Sequence, residues 1–204
     1  SNYFQTFNRP NVRLISVRKT PIESIDATGI TTSDAHYDLD AIVFATGFDA
    51  MTGALGKIDI VGRKAERLRD DWANGPRSYL GLGDDGFPNL FVITGPGSPA
   101  VLANMVLGAE AHVDWISDCI GYLDEHGYDG IEATAEAVDN WLAECAQRAD
   151  ASLFTKANSW YLGANVPGKP RVFMLFIGGF GVYNDICAEV AGAGYKGFEL
   201  LKAR

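Results

Sequence analysis

The sequence predicts an α/β fold organised around a doubly wound sheet, and three stretches carry that expectation. Residues 39–44 (LDAIVF), 90–94 (LFVIT) and 171–177 (RVFMLFI) are almost continuously apolar. They end at glycine-bearing turns, at Thr46-Gly47, at Gly95-Pro96-Gly97 and at Gly178-Gly179, and the last two turns run into helical patterns. A strand covered on both faces is apolar throughout rather than alternating. Strand, glycine turn and helix in recurrence is the pattern of helices packed on a parallel sheet.

Taken in order, residues 12–17 (VRLISV) alternate and predict a strand after the Arg9-Pro10-Asn11 turn. Residues 22–32 carry Ala27-Thr28-Gly29 at their middle and predict a hairpin. The run 39–44 follows, then a polar, ambiguous stretch over 59–72. Gly81 to Gly86 (GLGDDG) matches G-x-G-x-x-G by letter, yet it precedes a strand and carries two aspartates that would repel a pyrophosphate; it is read as a surface turn. After 90–94 a helix is expected from Val101 to about His126, stopped by Gly127, with Val106, Val113, Ile116, Ile120 and Leu123 as its core stripe. Thr134 is placed as the N-cap of a further helix through Trp141, Leu142 and Cys145. Residues 159–170 read as a loop, 171–177 as the third apolar strand, and about Asn184 to Ala191 as the last helix. The composition shift near Tyr37 is the only domain boundary proposed.

Composition narrows the partners. With 17 basic and 26 acidic residues the net charge is −9, which argues against nucleic acid or an anionic membrane surface. No apolar run approaches the roughly 20 residues of a bilayer span. Three cysteines without C-x-x-C spacing suit a reduced, cytoplasmic protein and give no redox pair. The three histidines show no metal-binding spacing, so no metal site is expected. The opening SNYFQTFNRP reads as starting mid-stream, a piece of a longer protein.

The stretch VITGPGSPAVLANM, residues 92–105, places glycines and a helix N-terminus after an apolar run, where backbone N–H groups attract negative charge and glycine admits a flat ring. A tight connection capped by Ser98 explains the same letters equally well. Ser98 as a hydrolase nucleophile is disfavoured, because Pro99 removes an oxyanion donor and His112 lies about four helical turns away. Trp160, in a glycine- and proline-rich loop, either packs that loop or covers a ligand.

With LDAIVFATGFDAMTGALGKIDIVGR, FPNLFVITGPGSPAVLANM, HVDWISD and NSWYLGANVPGKPRVFM in order, the chain resembles the Baeyer–Villiger monooxygenases, flavoproteins of the cyclohexanone and phenylacetone monooxygenase type. The resemblance implies the C-terminal part of a flavoprotein with two dinucleotide-binding domains, a Rossmann-like three-layer sheet with added helices. It implies FAD and NADP as cofactors, and a ketone and O2 as substrates, one oxygen atom entering beside the carbonyl to give an ester or lactone. Residues 1–37 would close the NADPH-binding domain, and 38–204 would form the back of the FAD domain. Thr46, Gly47, Asp49, Gly95, Met105 and Trp160 would meet the cofactors. Ala100, Val101 and Leu102 would line the ketone pocket with Trp160. Lys169 and Arg171 would anchor a loop or lie on the surface. Leu175-Phe176 departs from the family's usual Pro-Tyr. No residue is assigned as catalytic acid, base or nucleophile, and the missing N-terminal part of the enzyme would be the chain's partner. An N-hydroxylating relative, or a non-catalytic module on the same scaffold, is the alternative.

Overall fold

The computed structural model describes residues 2–202, with the side chain of Ala100 outside that description. The chain folds as two compact units, residues 1–46 and 47–204.

The first unit holds a short helix, α1 (Tyr3–Thr6), and an antiparallel sheet of β1 (Ile22–Ile25), β2 (Gly29–Thr32) and β3 (His36–Asp38). The expected hairpin is β1–β2, in register at Ile25↔Ile30. Its turn is set by Asp26, whose carboxylate accepts the Thr28 N–H at 2.8 Å and hydroxyl at 2.6 Å, the local bonding that makes aspartate a turn residue. The strand expected at 12–17 does not form, and neither does the one at 39–44. Apolar content cannot make a strand by itself: its backbone groups need a neighbouring ladder. No strand among the described residues offers one, and Leu39, Val43 and Phe44 are exposed.

The second unit contains α2 (Leu68–Asp71), α3 (Met105–His126), β4 (Gly130–Ala133), α4 (Ala135–Asp150), α5 (Phe180–Gly192) and β5 (Phe198–Leu201). Strands β4 and β5 pair antiparallel from Gly130↔Leu201 to Ala133↔Phe198. Helix α4 begins where expected, Thr134 Oγ1 accepting the Ala137 N–H at 3.2 Å. Helix α3 stops at Gly127, which adopts φ 67° while Tyr128 N–H returns to the Leu123 carbonyl at 2.9 Å. It starts at Met105, later than expected, because Asn104 supplies the cap: its Oδ1 accepts from Val106 N at 3.0 Å and Leu107 N at 3.3 Å. Residues Ala100–Leu102 form a separate 3₁₀ turn. Helix α5 opens at Phe180, four residues before the expected Asn184, directly behind Gly179.

The core is aromatic. Trp141 stacks on Phe176 with centroids 5.0 Å apart and planes at 13°, and Trp115 packs edge-on against Tyr195 at 5.1 Å. Such pairs add roughly 0.5–1.5 kcal/mol each beyond their area burial. Trp72, Trp115 and Trp141 are all buried. The buried stripe of α3 is His112, Trp115, Cys119 and Leu123; of the stripe read from sequence Leu123 is buried and Ile116 packs against the core, whereas Val106, Val113 and Ile120 are exposed and are corrected. Both sets recur at helical spacing, so periodicity cannot choose between them.

Two further expectations are corrected. Residues 90–94 and 171–177 form no strand ladder. They take irregular bonds instead, Val92 N–H to the Leu82 carbonyl at 2.8 Å and Met174 N–H to that of Tyr161 at 3.0 Å. The described sheets are thus both antiparallel within a mixed α/β fold. The GLGDDG turn is not on the surface: Leu82 and Asp84 are buried, and Gly86 N–H is held by the buried Glu132 carboxylate at 2.8 Å. A buried acid is rare enough that sequence gives no reason to expect it.

Candidate functional site: a glycine junction and its loop

The glycine junction over residues 94–98 is built from the inside. Trp141 Nε1 donates to the Gly97 carbonyl at 3.0 Å, and the Ser78 hydroxyl donates to that of Pro96. Gly97 N–H donates to the Met174 carbonyl at 2.9 Å and Phe176 N–H to that of Ser98 at 3.0 Å, so the segment runs beside Met174, Leu175 and Phe176. Leu175 and Phe176, the pair that departs from the resemblance, are fully buried here. A Cβ on Gly95 would meet the Gly81 carbonyl oxygen at 2.7 Å, and one on Gly97 would meet Ser78 Oγ at 2.9 Å. Protein atoms therefore already require glycine at both positions. Gly47 differs: it has φ 81°, is exposed, and a Cβ there would meet nothing within 4 Å.

Ser98 is wholly buried and donates its hydroxyl to the Gly95 carbonyl at 2.8 Å. His112 is engaged elsewhere: Nδ1 accepts the Thr94 N–H at 2.9 Å and Nε2 lies 2.7 Å from the Tyr183 hydroxyl. Neither residue is free for hydrolytic chemistry. Burial pushes the Cys119 and Cys187 thiols up to about 11 and that of Cys145 to about 12, which keeps them protonated and unreactive at neutral pH.

Beyond the junction the chain turns outward. Val101, Leu102 and Met105 are exposed at the mouth of α3, followed by Val106 and Leu107. Ala100 shares this turn, but its side chain lies outside the described residues. Five apolar residues in this short stretch make a surface suited to an apolar ligand.

Trp160 begins a 3₁₀ turn, Trp160–Leu162, capped by Ser159, and its half-buried ring lies 4.2 Å from that of Tyr161. The loop around it is tied to the segment after Gly47. Asn165 Nδ2 donates to the Phe48 carbonyl at 2.7 Å, and Lys169 pairs with Asp49 while reaching the Ala50 carbonyl at 3.4 Å. Lys169 is thus a loop anchor, as expected, and Asp49 is its counter-ion. Thr46 and Gly47 are exposed just before that anchor.

The structure therefore brings Asp49 to the Trp160 loop, and sets Gly95 behind the turn that carries Val101, Leu102 and Met105. His112 figures in the sequence only as a distant base for Ser98; its bond to Thr94, beside the glycine junction, is not foreseen there. Its signal was available only as a histidine at the same helical spacing as Trp115, Cys119 and Leu123.

No protein-family model matches the chain. An acetone monooxygenase (methyl acetate-forming) of Gordonia sp. (strain TY-5) is 45% identical over 202 residues, 98% of this chain and 38% of the relative. A Baeyer–Villiger monooxygenase of Pseudooceanicola batsensis is 41% identical over 196 residues, 96% of the chain and 36% of the relative. Among solved structures, oxidized steroid monooxygenase bound to NADP is 62% identical with TM-score 0.86, covering all of this chain and 38% of that one. OTEMO in complex with FAD and NADP is 38% identical with TM-score 0.88, covering 98% of this chain and 37% of that one. The chain spans well under half the length of the curated relatives it matches. Along nearly its whole extent the chain is similar, in sequence and in fold, to a segment of these monooxygenases, Baeyer–Villiger monooxygenases among them.

Proposed function

We propose that this chain is the flavin-side segment of an FAD- and NADPH-dependent monooxygenase that inserts one oxygen atom from O2 beside a ketone carbonyl. The observation that carries the reading is the near-complete coverage of the chain by such enzymes, 98% at 45% identity. The residues present fit the ring portion of a flavin: an open Gly47 on an exposed backbone, and the exposed apolar turn of Val101, Leu102 and Met105. The G-x-G-x-x-G match at Gly81–Gly86 supplies no phosphate cradle, since Leu82 and Asp84 within it are buried. When bound, FAD supplies the oxygen-transfer chemistry, with NADPH as its reductant.

The chain's own residues have supporting tasks. Gly47 and Met105 receive the ring, while Gly95 shapes the turn behind it. Ala100, Val101 and Leu102 shape the ketone pocket and exclude water from it. Trp160 covers NADP and substrate, carried on a loop that Asp49 holds through Lys169. Residues 1–37 complete the NADPH-binding domain and 38–204 the FAD domain. No described side chain is assigned as catalytic acid, base or nucleophile.

The test uses the full-length protein. Purified with FAD, it should oxidise NADPH faster when a ketone is added and release the ester or lactone. Ketone-independent NADPH oxidation that accelerates with an amine or N-heterocycle would instead favour the N-hydroxylating alternative. Absence of bound flavin would end both.

A further inference from the structure

We propose that His112 is a positioning residue for the flavin-side junction, holding Thr94 in the backbone conformation from which residues 95–105 project. The inference deepens the flavoprotein reading and rests on it.

Thr94 has φ 51°, in the left-handed region that a β-branched residue resists. Something must hold it there, since such conformations persist only where surrounding contacts over-determine them. The Thr94 N–H donates to His112 Nδ1 at 2.9 Å, and His112 is almost wholly buried on α3. The proton pattern follows from the partners. The Thr94 amide can only donate, so Nδ1 carries no proton. The Leu80 carbonyl can only accept, and it lies 2.6 Å from the Tyr183 hydroxyl, so that hydroxyl donates to it. The proton between His112 and Tyr183 therefore sits on Nε2, donated across 2.7 Å to the Tyr183 oxygen. Each group in the chain Thr94, His112, Tyr183, Leu80 is satisfied in one arrangement only.

That arrangement joins both glycine junctions of the second unit. Tyr183 lies in the first turns of α5, behind Gly178 and Gly179, and Thr94 immediately precedes Gly95. The two also approach at α3, where a Cβ on Gly108 would meet Thr94 Cγ2 at 3.8 Å and the Phe180 ring at 4.0 Å. The imidazole is neutral, because burial pushes its pKa down to about 4, and the neutral ring is the only form that can accept from Thr94. The described hydrogen bonds of His112 go to Thr94 and Tyr183, and it acts through the backbone it holds.

The experiment compares three variants in the full-length, flavin-loaded protein: His112→Leu, which removes donor and acceptor, His112→Gln, whose amide offers one of each, and Tyr183→Phe. Amide exchange is followed in the peptide covering residues 94–98, with the visible circular dichroism of bound flavin and the split between kcat and KM. His112→Leu should speed exchange in that peptide at least tenfold while α4 stays protected. It should alter the flavin signal and lower kcat at least tenfold, with KM within threefold. His112→Gln should return all three readouts to within threefold of the parent, and Tyr183→Phe should fall between. Unchanged exchange over 94–98 in His112→Leu would overturn the proposal, as would a Gln variant as impaired as the Leu one. If His112→Leu does not fold, the Gln and Phe variants decide by the same criteria. A parent protein without flavin would end the flavoprotein reading alone, because amide exchange still reports on His112.

Discussion

The two units treat their hydrophobic residues in opposite ways. In residues 47–204 the aromatic side chains of Trp141, Phe176, Tyr183 and Trp115 are buried against one another. In residues 1–46 Tyr3, Phe4, Leu14, Val43 and Phe44 are all exposed, and Val43 keeps 87% of its surface open. Burial of apolar area is the main force that holds a domain together. Among the described residues the first unit is therefore a set of local hydrogen-bonded pieces without a core, whereas the second has one. Residues 39–44 are composed like a central strand and have no neighbour to make them one. The exposed stripe of Val106, Val113 and Ile120 on α3 is a smaller case of the same mismatch inside the cored unit.

Substitutions can break this comparison, beginning with the core. Trp141→Ala removes the ring stacked on Phe176 and the donor to Gly97, and should cost about 3–5 kcal/mol in denaturant unfolding of the second unit. A loss under 1 kcal/mol would mean that this unit has no more of a core than the first.

Next comes a pH effect confined to the cored unit. Asp84 is buried against Trp72, whose Nε1 donates to Oδ2 at 2.6 Å, and burial raises its pKa to about 7. A carboxyl whose folded value lies above its unfolded one favours folding while protonated. Its contribution is complete below about pH 4 and is lost as pH rises through about 7, by up to roughly 4 kcal/mol at 1.36 kcal/mol per unit. His112 acts in the opposite sense, since its folded value of about 4 lies below that of a free imidazole: its contribution is present above about pH 6.5 and is lost as pH falls through about 4. Thermal melts from pH 4 to 8 should therefore show Asp84→Asn losing the decline toward pH 7 that the parent shows. Parallel profiles for the two proteins would remove Asp84 from the account.

Lys169→Met releases the Trp160 loop from Asp49. The pair is partly exposed, so stability should fall by only about 0.5–1 kcal/mol, while proteolysis within residues 158–170 should quicken several-fold. Phe44→Ala, at a side chain 71% exposed, should change the stability of the 204-residue chain by less than about 0.5 kcal/mol. A core-sized loss there would show that the first unit buries what the structure leaves open.

Helices were legible in the sequence where their ends were chemically marked. Thr134 and Gly127 bound α4 and α3 as their side-chain oxygen and missing Cβ dictate. The hairpin of β1 and β2 was legible for a similar reason, the Asp26 turn being local. Strands were not, because a strand is defined by a partner and three apolar runs carry no information about whether one is present. The short pair β4 and β5 escaped notice for the converse reason: Gly130–Ala133 and Phe198–Leu201 are four residues each, and pairing makes them strands. Within the candidate site the resemblance singled out Val101, Leu102 and Met105, but the sequence set them in a helix from Val101 and gave no sign of the exposed turn. The inward demands on Gly95 and Gly97, the buried Asp84 and the tautomer of His112 arise only from three-dimensional neighbours.

The most direct test of the central claim is to co-express this chain with the upstream remainder of the enzyme and measure flavin in the purified complex. The account predicts FAD near one per complex and NADPH oxidation stimulated by a ketone, with neither from the chain alone. A complex that assembles stably yet holds no flavin would contradict it.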